Sequence, residues 1–365
     1  MKKIAVIPGD GIGPEIIAEG IKVLDALNLD LEYIYAEAGG EAYLKYGTPI
    51  PDETWDICDE ADAIYFGAVG LLPEKLKPGI AERALLEIRF HYDQYVNLRP
   101  TKLYRGLEEY VPLKREIVEK GIDFVVVREN TEGAYAQQGG ILRGEVPGEV
   151  GDCATNIMLY SKKGVERIVR YAFEYAKRHG LNRVTCVDKA NVLAVSQYWR
   201  SIFDIIKKEY PSISTDYAYI DAMTQWVIRA PHYYQVIVTE NLFGDILSDL
   251  CAPLAGSLGM MPGGNINPDG KSMFEPIHGS APKYAGKNVA NPIATILAGK
   301  MMLEEAFGME KEAKIIDDAV QRVILEGKVR TYDICGKKPG EANTTGQMGD
   351  AIAEKVKEIA KERLG

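Results

Sequence analysis

Two aspartates, Asp245 and Asp249, stand four residues apart in "NLFGDILSDL", directly after the apolar run "YQVIVTE" (234–240). On a helix that spacing puts both carboxylates on one face, where they repel unless a cation sits between them. A hard divalent ion such as Mg²⁺ or Mn²⁺ takes carboxylate oxygens and leaves positions open for a substrate. Without an ion, the pair is one Asp near a helix start and another in solvent. "YIDAM" adds Asp221 at the end of a further strand-like run, and "VDKAN" presents Lys189 in the same way. A lysine beside a bound cation has its pKa lowered and becomes a competent proton acceptor.

Three arginines follow structural punctuation: Arg89 in "LLEIRF", Arg99 in "NLRP" and Arg128 in "VVVREN". A lone surface arginine is usually a solvated charge. Arg128, however, ends an apolar strand, and ligands of parallel α/β sheets sit beyond the carboxyl ends of the strands. A guanidinium there holds a carboxylate through two parallel hydrogen bonds, so a substrate with one or more carboxylates is expected. "EPIHGSAPKYAGKNVANP" (275–292) carries one of the four histidines and is rich in Gly, Pro and Ala; it reads as an ordered loop. Its Lys283 and Tyr284 are either phosphate-binding or ordinary surface residues.

"VIPGDGIGPE" (6–15) joins a strand to a helix through Gly9, Gly11 and Gly13. The dinucleotide fingerprint needs G-x-G-x-x-G, and here the third glycine comes one residue early. Asp10 inside the turn, and Glu15 in the first helical turn, would repel a pyrophosphate. Glu15 is placed to engage the positive end of the helix dipole.

The elements that must position these groups alternate. "KKIAVI" (2–7), "AIYFGAV" (63–69), "DFVVV" (123–127), "RVTCV" (183–187) and "YQVIVTE" read as strands, each flanked by amphipathic stretches such as "PEIIAEGIKVLDAL" (14–27). That pattern predicts an α/β fold with a largely parallel sheet. Residues 134–161, glycine-studded and without helical period, read as a β excursion able to pack on another chain.

The chain's 365 residues are enough for two domains or one large one. Its net charge of −10 disfavours nucleic acid as main partner. Neither an apolar run of roughly 20 residues nor a signal pattern is found, so a soluble cytoplasmic protein with no membrane partner is expected. Cys58, Cys153, Cys186, Cys251 and Cys335 are scattered without metal spacing and read as buried, reduced thiols.

Taken together, "GDGIGPE", "NLRP", "VRENTEG", "VDKANVL", "IDAM", "NLFGDILSD" and the 275–292 loop resemble the β-decarboxylating dehydrogenases, from residue 2 to about 350. This family acts on isopropylmalate, isocitrate, homoisocitrate or tartrate/D-malate. The resemblance implies a two-domain, non-Rossmann α/β fold. Residues 1–103 and 256–365 would form a large cofactor-binding domain, and 104–255 a small domain for dimerisation, metal and substrate. It implies a homodimer with shared sites, the 134–161 excursion being an interlocking arm. Arg89, Arg99 and Arg128 would hold the malate-moiety carboxylates. Asp245 and Asp249, with Asp221 from the other subunit, would hold Mg²⁺ or Mn²⁺. Lys189, also from the other subunit, would assist removal of the hydroxyl proton, and Tyr135 would supply the proton after loss of CO₂.

The cofactor is implied to lie against Ile12 and the loop residues Glu275, His278, Gly279, Ser280, Ala281, Lys283, Tyr284 and Asn291. The NAD-using isopropylmalate branch places an aspartate after "HGSAP"; Lys283 stands there instead and would attract a 2′-phosphate. With Tyr284 and Tyr332, this favours NADP over NAD, although Gly336 stands near the place of a further expected arginine, with Lys337 and Lys338 following. For the substrate, Glu82, Leu85 and Leu86 in "AERALLEIR" resemble the isopropylmalate branch, and burying an isopropyl group on the leucines would contribute about 1.5–3 kcal/mol. "DQYVNLRP" and "YAQQGG" are closer to the tartrate/D-malate branch, and Arg83 keeps a tricarboxylate such as isocitrate or homoisocitrate open. A non-catalytic regulatory subunit is the remaining reading, and it ranks below the enzyme because every metal and base position is intact.

Overall fold

The computed structural model describes residues 1–136, 138–142 and 152–364. The chain divides into two compact units: Met1–Gln94, Leu98–Asp123 and Cys251–Gly365 form the first, Tyr95–Asn97 and Phe124–Leu250 the second.

In the first unit, strand Lys2–Gly9 runs parallel between Leu31–Tyr35 and Ala63–Ala68, with Ile4 opposite Tyr33 and Ile7 opposite Phe66. Ala63–Ala68 is buried along its whole length, as expected of a parallel strand covered on both faces. Met273–Pro276 continues the parallel set, and Pro262–Ile266 pairs antiparallel with it. Glu275 and Pro276, read from sequence as the start of a loop, therefore end a strand. Helix Gly13–Asp25 begins with Pro14 in its first turn, where the missing N–H costs nothing. It buries Ile16, Ile17, Gly20, Val23 and Leu24. A Cβ on Gly20 would lie 2.0 Å from the Tyr65 hydroxyl, so the glycine is what lets the helix seat on the sheet. Helix Arg83–His91 packs Ala84 and Ile88 into a core with Ile7, Ile64 and Phe66.

In the second unit, Asp123–Glu129, Val236–Thr239, Arg183–Asp188 and Ser214–Tyr219 lie side by side in that order, all parallel. Helix Lys162–Arg178 starts under a Ser161 cap, whose hydroxyl accepts the Gly164 amide at 3.0 Å. Gly139–Leu142 and Cys153–Asn156 pair antiparallel and are fully exposed. Residues 137 and 143–151 of the expected arm lie outside the described residues.

Cys58, Cys186 and Cys251 are buried, whereas Cys153 is exposed and Cys335 only half-buried, which corrects the reading of five buried thiols. Among the described residues no helix is long and apolar enough to cross a membrane.

Candidate active site

The glycine turn answers its own anomaly. A Cβ on Gly9 would meet the Ala68 carbonyl at 2.1 Å, one on Gly11 the Ser280 carbonyl at 2.1 Å, and one on Gly13 the Pro8 carbonyl at 2.0 Å. All three glycines are demanded by protein backbone, so their spacing owes nothing to phosphate. Asp10 is buried and accepts the amides of Gly40 (2.7 Å), Glu41 (2.9 Å) and Gly70 (2.8 Å). Three N–H donors satisfy that carboxylate, and its charge is spent on the fold.

Next to this turn is a cavity of about 340 Å³. Ile12, Ala281, Tyr284 and Ala290 give it an apolar wall; His278 and Asn291 add polar edges. Gly279 and Tyr332 also line it, the Tyr332 ring standing 5.9 Å from that of Tyr284. Ser280 lies behind the wall: its hydroxyl donates to the Gly70 carbonyl at 2.6 Å, and its own carbonyl accepts the Ile12 amide at 2.8 Å. Lys283 is exposed beside Tyr284. Sequence reasoning missed Ser257, Leu258, Gly259 and Asp333 on this cavity. Asp333 Oδ2 accepts from the Ser257 hydroxyl at 2.5 Å and from Asn291 Nδ2 at 3.0 Å. Its only sequence signal was the neighbouring Tyr332.

Glu275 stands away from that cavity's lining. It is buried, accepting Arg89 Nη2 at 3.0 Å and Asn265 Nδ2 at 2.7 Å. Arg89 sits in the last turn of helix Arg83–His91, where a cation suits the negative end of the dipole. On the same helix Leu85 and Leu86 are half-buried, Leu85 against the core of Ile7 and Phe66. Glu82 is the residue before the helix and accepts the Gly79 amide at 2.9 Å. Arg83 pairs with Glu87 at 2.7 Å on the surface. Arg99 is buried within strand Val96–Lys102.

A second cluster belongs to the other unit. Arg128, at the end of its strand and 1% exposed, reaches Asp245 Oδ1 with Nη1 at 2.5 Å and Asn241 Oδ1 with Nη2 at 2.7 Å. Its guanidinium also lies 5.3 Å from the Tyr135 ring, and the Tyr135 hydroxyl donates to Asp245 Oδ2 at 2.7 Å. Gly244 makes this approach possible, because a Cβ there would fall 2.5 Å from Arg128 Cγ. Asp245 and Asp249 both lie on helix Asn241–Cys251, Asp249 exposed one turn further on. Asp221, in the first turn of helix Ile220–Arg229, pairs with Lys189 at 2.6 Å. The Lys189 hydrogen bond holds the Asp221 carboxyl below its ordinary range. Among the described residues no three His, Cys, Asp or Glu side chains of one chain converge as a metal site.

Two buried acids end neighbouring strands of this unit. Burial pushes Glu129 up to about 7 against the hydrogen bonds from Glu132 and Thr131 that favour its anion. Burial likewise pushes Glu240 up to about 7, against a hydrogen bond from Ser196.

A family model described as isocitrate/isopropylmalate dehydrogenase matches residues 3–352. The chain belongs to that family. A 3-isopropylmalate dehydrogenase of Thermotoga maritima is 45% identical over 367 residues, covering 98% of this chain and 99% of its own. The Bacillus subtilis enzyme of the same name is 41% identical over 366 residues, covering 98% and 96%. Among solved structures, an isocitrate dehydrogenase from Methylococcus capsulatus superposes with a TM-score of 0.88 at 38% identity, covering 98% of this chain and all (100%) of that one. A β-decarboxylating dehydrogenase from Thermococcus kodakarensis gives 0.79 at 35% identity, covering 99% and 98%.

Membership of the isocitrate/isopropylmalate dehydrogenase family makes the chain a decarboxylating dehydrogenase served by a nicotinamide cofactor and a divalent cation. The residues present fit both groups. The cavity by Ile12 offers apolar faces for a ring and hydrogen-bonding groups at its rim, and its volume suits part of a dinucleotide. Asp245 and Asp249 are hard oxygen donors of the type that Mg²⁺ and Mn²⁺ take.

Proposed function

We propose that this enzyme oxidatively decarboxylates 3-isopropylmalate, the reaction of leucine synthesis, with NADP as hydride acceptor. The observation that carries the substrate reading is one helix, Arg83–His91, which presents half-buried Leu85 and Leu86 ahead of a buried arginine. An isopropyl group needs an apolar surface and a carboxylate needs a guanidinium, and this helix supplies both. The names of the curated relatives support the same reading.

When bound, the nicotinamide nucleotide takes up hydride from the C2 carbon, and the divalent cation stabilises negative charge on the substrate's oxygens. Arg89, Arg99 and Arg128 bind and orient the carboxylates. Lys189 of a second copy takes the hydroxyl proton at Nζ; Asp221 of that same copy, its hydrogen-bond partner, remains a carboxylate that neutralises the ammonium form. Tyr135 delivers a proton from its hydroxyl to the carbon that has lost CO₂. Asp245 and Asp249 hold the cation with Asp221 of a second copy, so the enzyme works as a homodimer, with the exposed strands Gly139–Leu142 and Cys153–Asn156 belonging to its arm. The unit holding residues 1–94 and 251–365 carries the cofactor loop, and the unit holding 124–250 carries the proton and metal chemistry. NADP is favoured by exposed Lys283, whose ammonium attracts a 2′-phosphate, and by its neighbour Tyr284, whose ring stands 5.9 Å from that of Tyr332. Among the described residues no cysteines are bridged, which suits a reducing cytoplasm.

The test is the initial rate of NADPH formation with Mn²⁺, comparing 3-isopropylmalate, D-malate and isocitrate at matched concentration. A clear preference for 3-isopropylmalate is expected. Faster turnover of D-malate or isocitrate would overturn the role given to Leu85 and Leu86.

A further inference from the structure

Glu15 has no part in the chemistry above, yet both of its carboxylate oxygens are engaged. From the first turn of helix Gly13–Asp25 it accepts the Gly286 amide on Oε1 at 2.9 Å and the Asn288 amide on Oε2 at 2.9 Å. Residues 285–288 are exposed, so little apolar packing holds them. Two of them take left-handed backbone conformations: Gly286 at φ 71°, which glycine adopts freely, and Asn288, without glycine's freedom, at φ 53°. A segment of that kind is fixed by its hydrogen bonds or not at all.

Directly before the segment comes Tyr284, one of the residues that line the cofactor cavity. Tyr284 packs on Ile12, Ile16 and Ala290, and its carbonyl accepts the Lys287 amide at 3.0 Å, closing a turn directly before Glu15's grip. The other end of the loop is held by the Ile12 amide on the Ser280 carbonyl at 2.8 Å. Both anchors therefore leave one stretch, residues 12–15, and Lys283 and Tyr284 lie between them. Asn288 is secured on its far side as well, its carbonyl accepting the Thr345 amide at 3.1 Å and its Oδ1 the Gly346 amide at 3.0 Å.

We propose that Glu15 is a positioning residue for the nicotinamide nucleotide, pre-ordering the 282–288 segment so that Lys283 and Tyr284 meet the cofactor without first being ordered by it. This rests on the assignment of the cofactor to the 275–291 loop. Pre-organisation of a binding loop strengthens binding by removing an ordering cost. Its loss weakens the nucleotide and leaves the chemical step and the hydroxy acid alone.

Three substitutions separate reach from charge. Glu15→Ala removes both acceptors. Glu15→Gln keeps the reach and one acceptor oxygen. Glu15→Asp keeps the charge at the helix start, and with it the dipole interaction, but is one methylene too short to span both amides. The measurements are NADPH affinity by fluorescence titration without substrate, KM for each substrate against kcat, thermal midpoint, and hydrogen exchange over residues 284–290 in nucleotide-free enzyme. For Glu15→Ala we expect roughly tenfold weaker NADPH binding, the effect of about one lost net hydrogen bond. KM for NADP should rise in parallel, with kcat at saturating nucleotide and KM for the hydroxy acid within twofold of wild type, and exchange over 284–290 should quicken. Glu15→Gln should fall between, and Glu15→Asp should bind as weakly as Glu15→Ala while melting with wild type. Unchanged NADPH affinity and exchange in Glu15→Ala would overturn the proposal, as would wild-type affinity in Glu15→Asp. A wild-type enzyme that binds neither NADP nor NAD would overturn the cofactor assignment itself, while the exchange measurement would still report on the anchor.

Discussion

The Tyr135 hydroxyl donates to Asp245 Oδ2 at 2.7 Å, while the other oxygen of that carboxylate is held by Arg128 at 2.5 Å. One aspartate thus joins the residue proposed to deliver a proton to a residue proposed to bind a carboxylate. Because Tyr135 is proposed to act after hydride transfer and CO₂ loss, Tyr135→Phe should lower kcat by roughly 10²- to 10⁴-fold, the usual worth of a positioned general acid. KM for both substrates should change little. Rapid-mixing measurement of NADPH should still show hydride transfer in the first turnover. Full steady-state turnover by the variant would remove Tyr135 from the mechanism.

Asp245→Asn keeps the shape of the side chain and removes its charge. The turnover number should fall by about 10³-fold or more, since a cation's stabilisation of developing charge is worth several kcal/mol. Mn²⁺ titration of activity should also show weaker metal affinity, with half-saturation at a higher Mn²⁺ concentration. If the variant matches wild type in both respects, Asp245 is not a metal ligand.

Lys283→Asp should invert the cofactor preference. An aspartate repels a 2′-phosphate where the lysine attracts it, and exposure at this position makes the effect sensitive to salt. The ratio of kcat/KM for NADP over NAD should drop at least roughly tenfold, as expected when one charge-assisted contact is replaced by a repulsive one. A ratio that survives the substitution unchanged would refute the account of this loop.

Acid stability of the first unit should depend on Asp317. Burial raises its pKa, but Lys102 (2.8 Å), Tyr104 (2.7 Å) and Lys314 (3.2 Å) outweigh burial and hold the carboxyl at about 2. Its folded pKa is below the unfolded one, so the stabilisation is fully present above about pH 4 and is lost as pH falls towards 2. The shift corresponds to about 2 kcal/mol. Lys102→Met should lower the denaturant midpoint at pH 7 and flatten the dependence between pH 4 and 2, measured by equilibrium unfolding. An unchanged pH profile would count against this account.

Much of the fold was legible because parallel strands buried on both faces are largely apolar runs, as at 63–69 and 124–127, with 184–187 broken only by Thr185. Strand Pro262–Ile266, "PGGNI", carries no such signal: three of its five residues are glycine or proline, and it gains its burial from neighbours. Asp245 and Asp249 were legible as a helical pair through their spacing. Asp10 was not: in sequence it looks like an obstacle to an anion. Only the convergence of amides 30 and 60 residues away shows that its charge is consumed by the fold. Asp333 and Ser257 escaped for the same reason, since neither belongs to a local pattern and the two meet across 76 residues of chain.

Every residue lining the cavity beside Ile12 comes from the first and last stretches of the chain, and the Arg128, Tyr135, Lys189, Asp221, Asp245 and Asp249 groups all come from the middle. Recombination with a relative at the boundaries 123/124 and 250/251 would exchange the middle whole, cutting none of the hydrogen bonds within the GDGIGPE turn or its loop. Chimaeras made at those junctions should inherit the choice of hydride acceptor from the parent of the outer segments and the proton-transfer groups from the parent of the inner one.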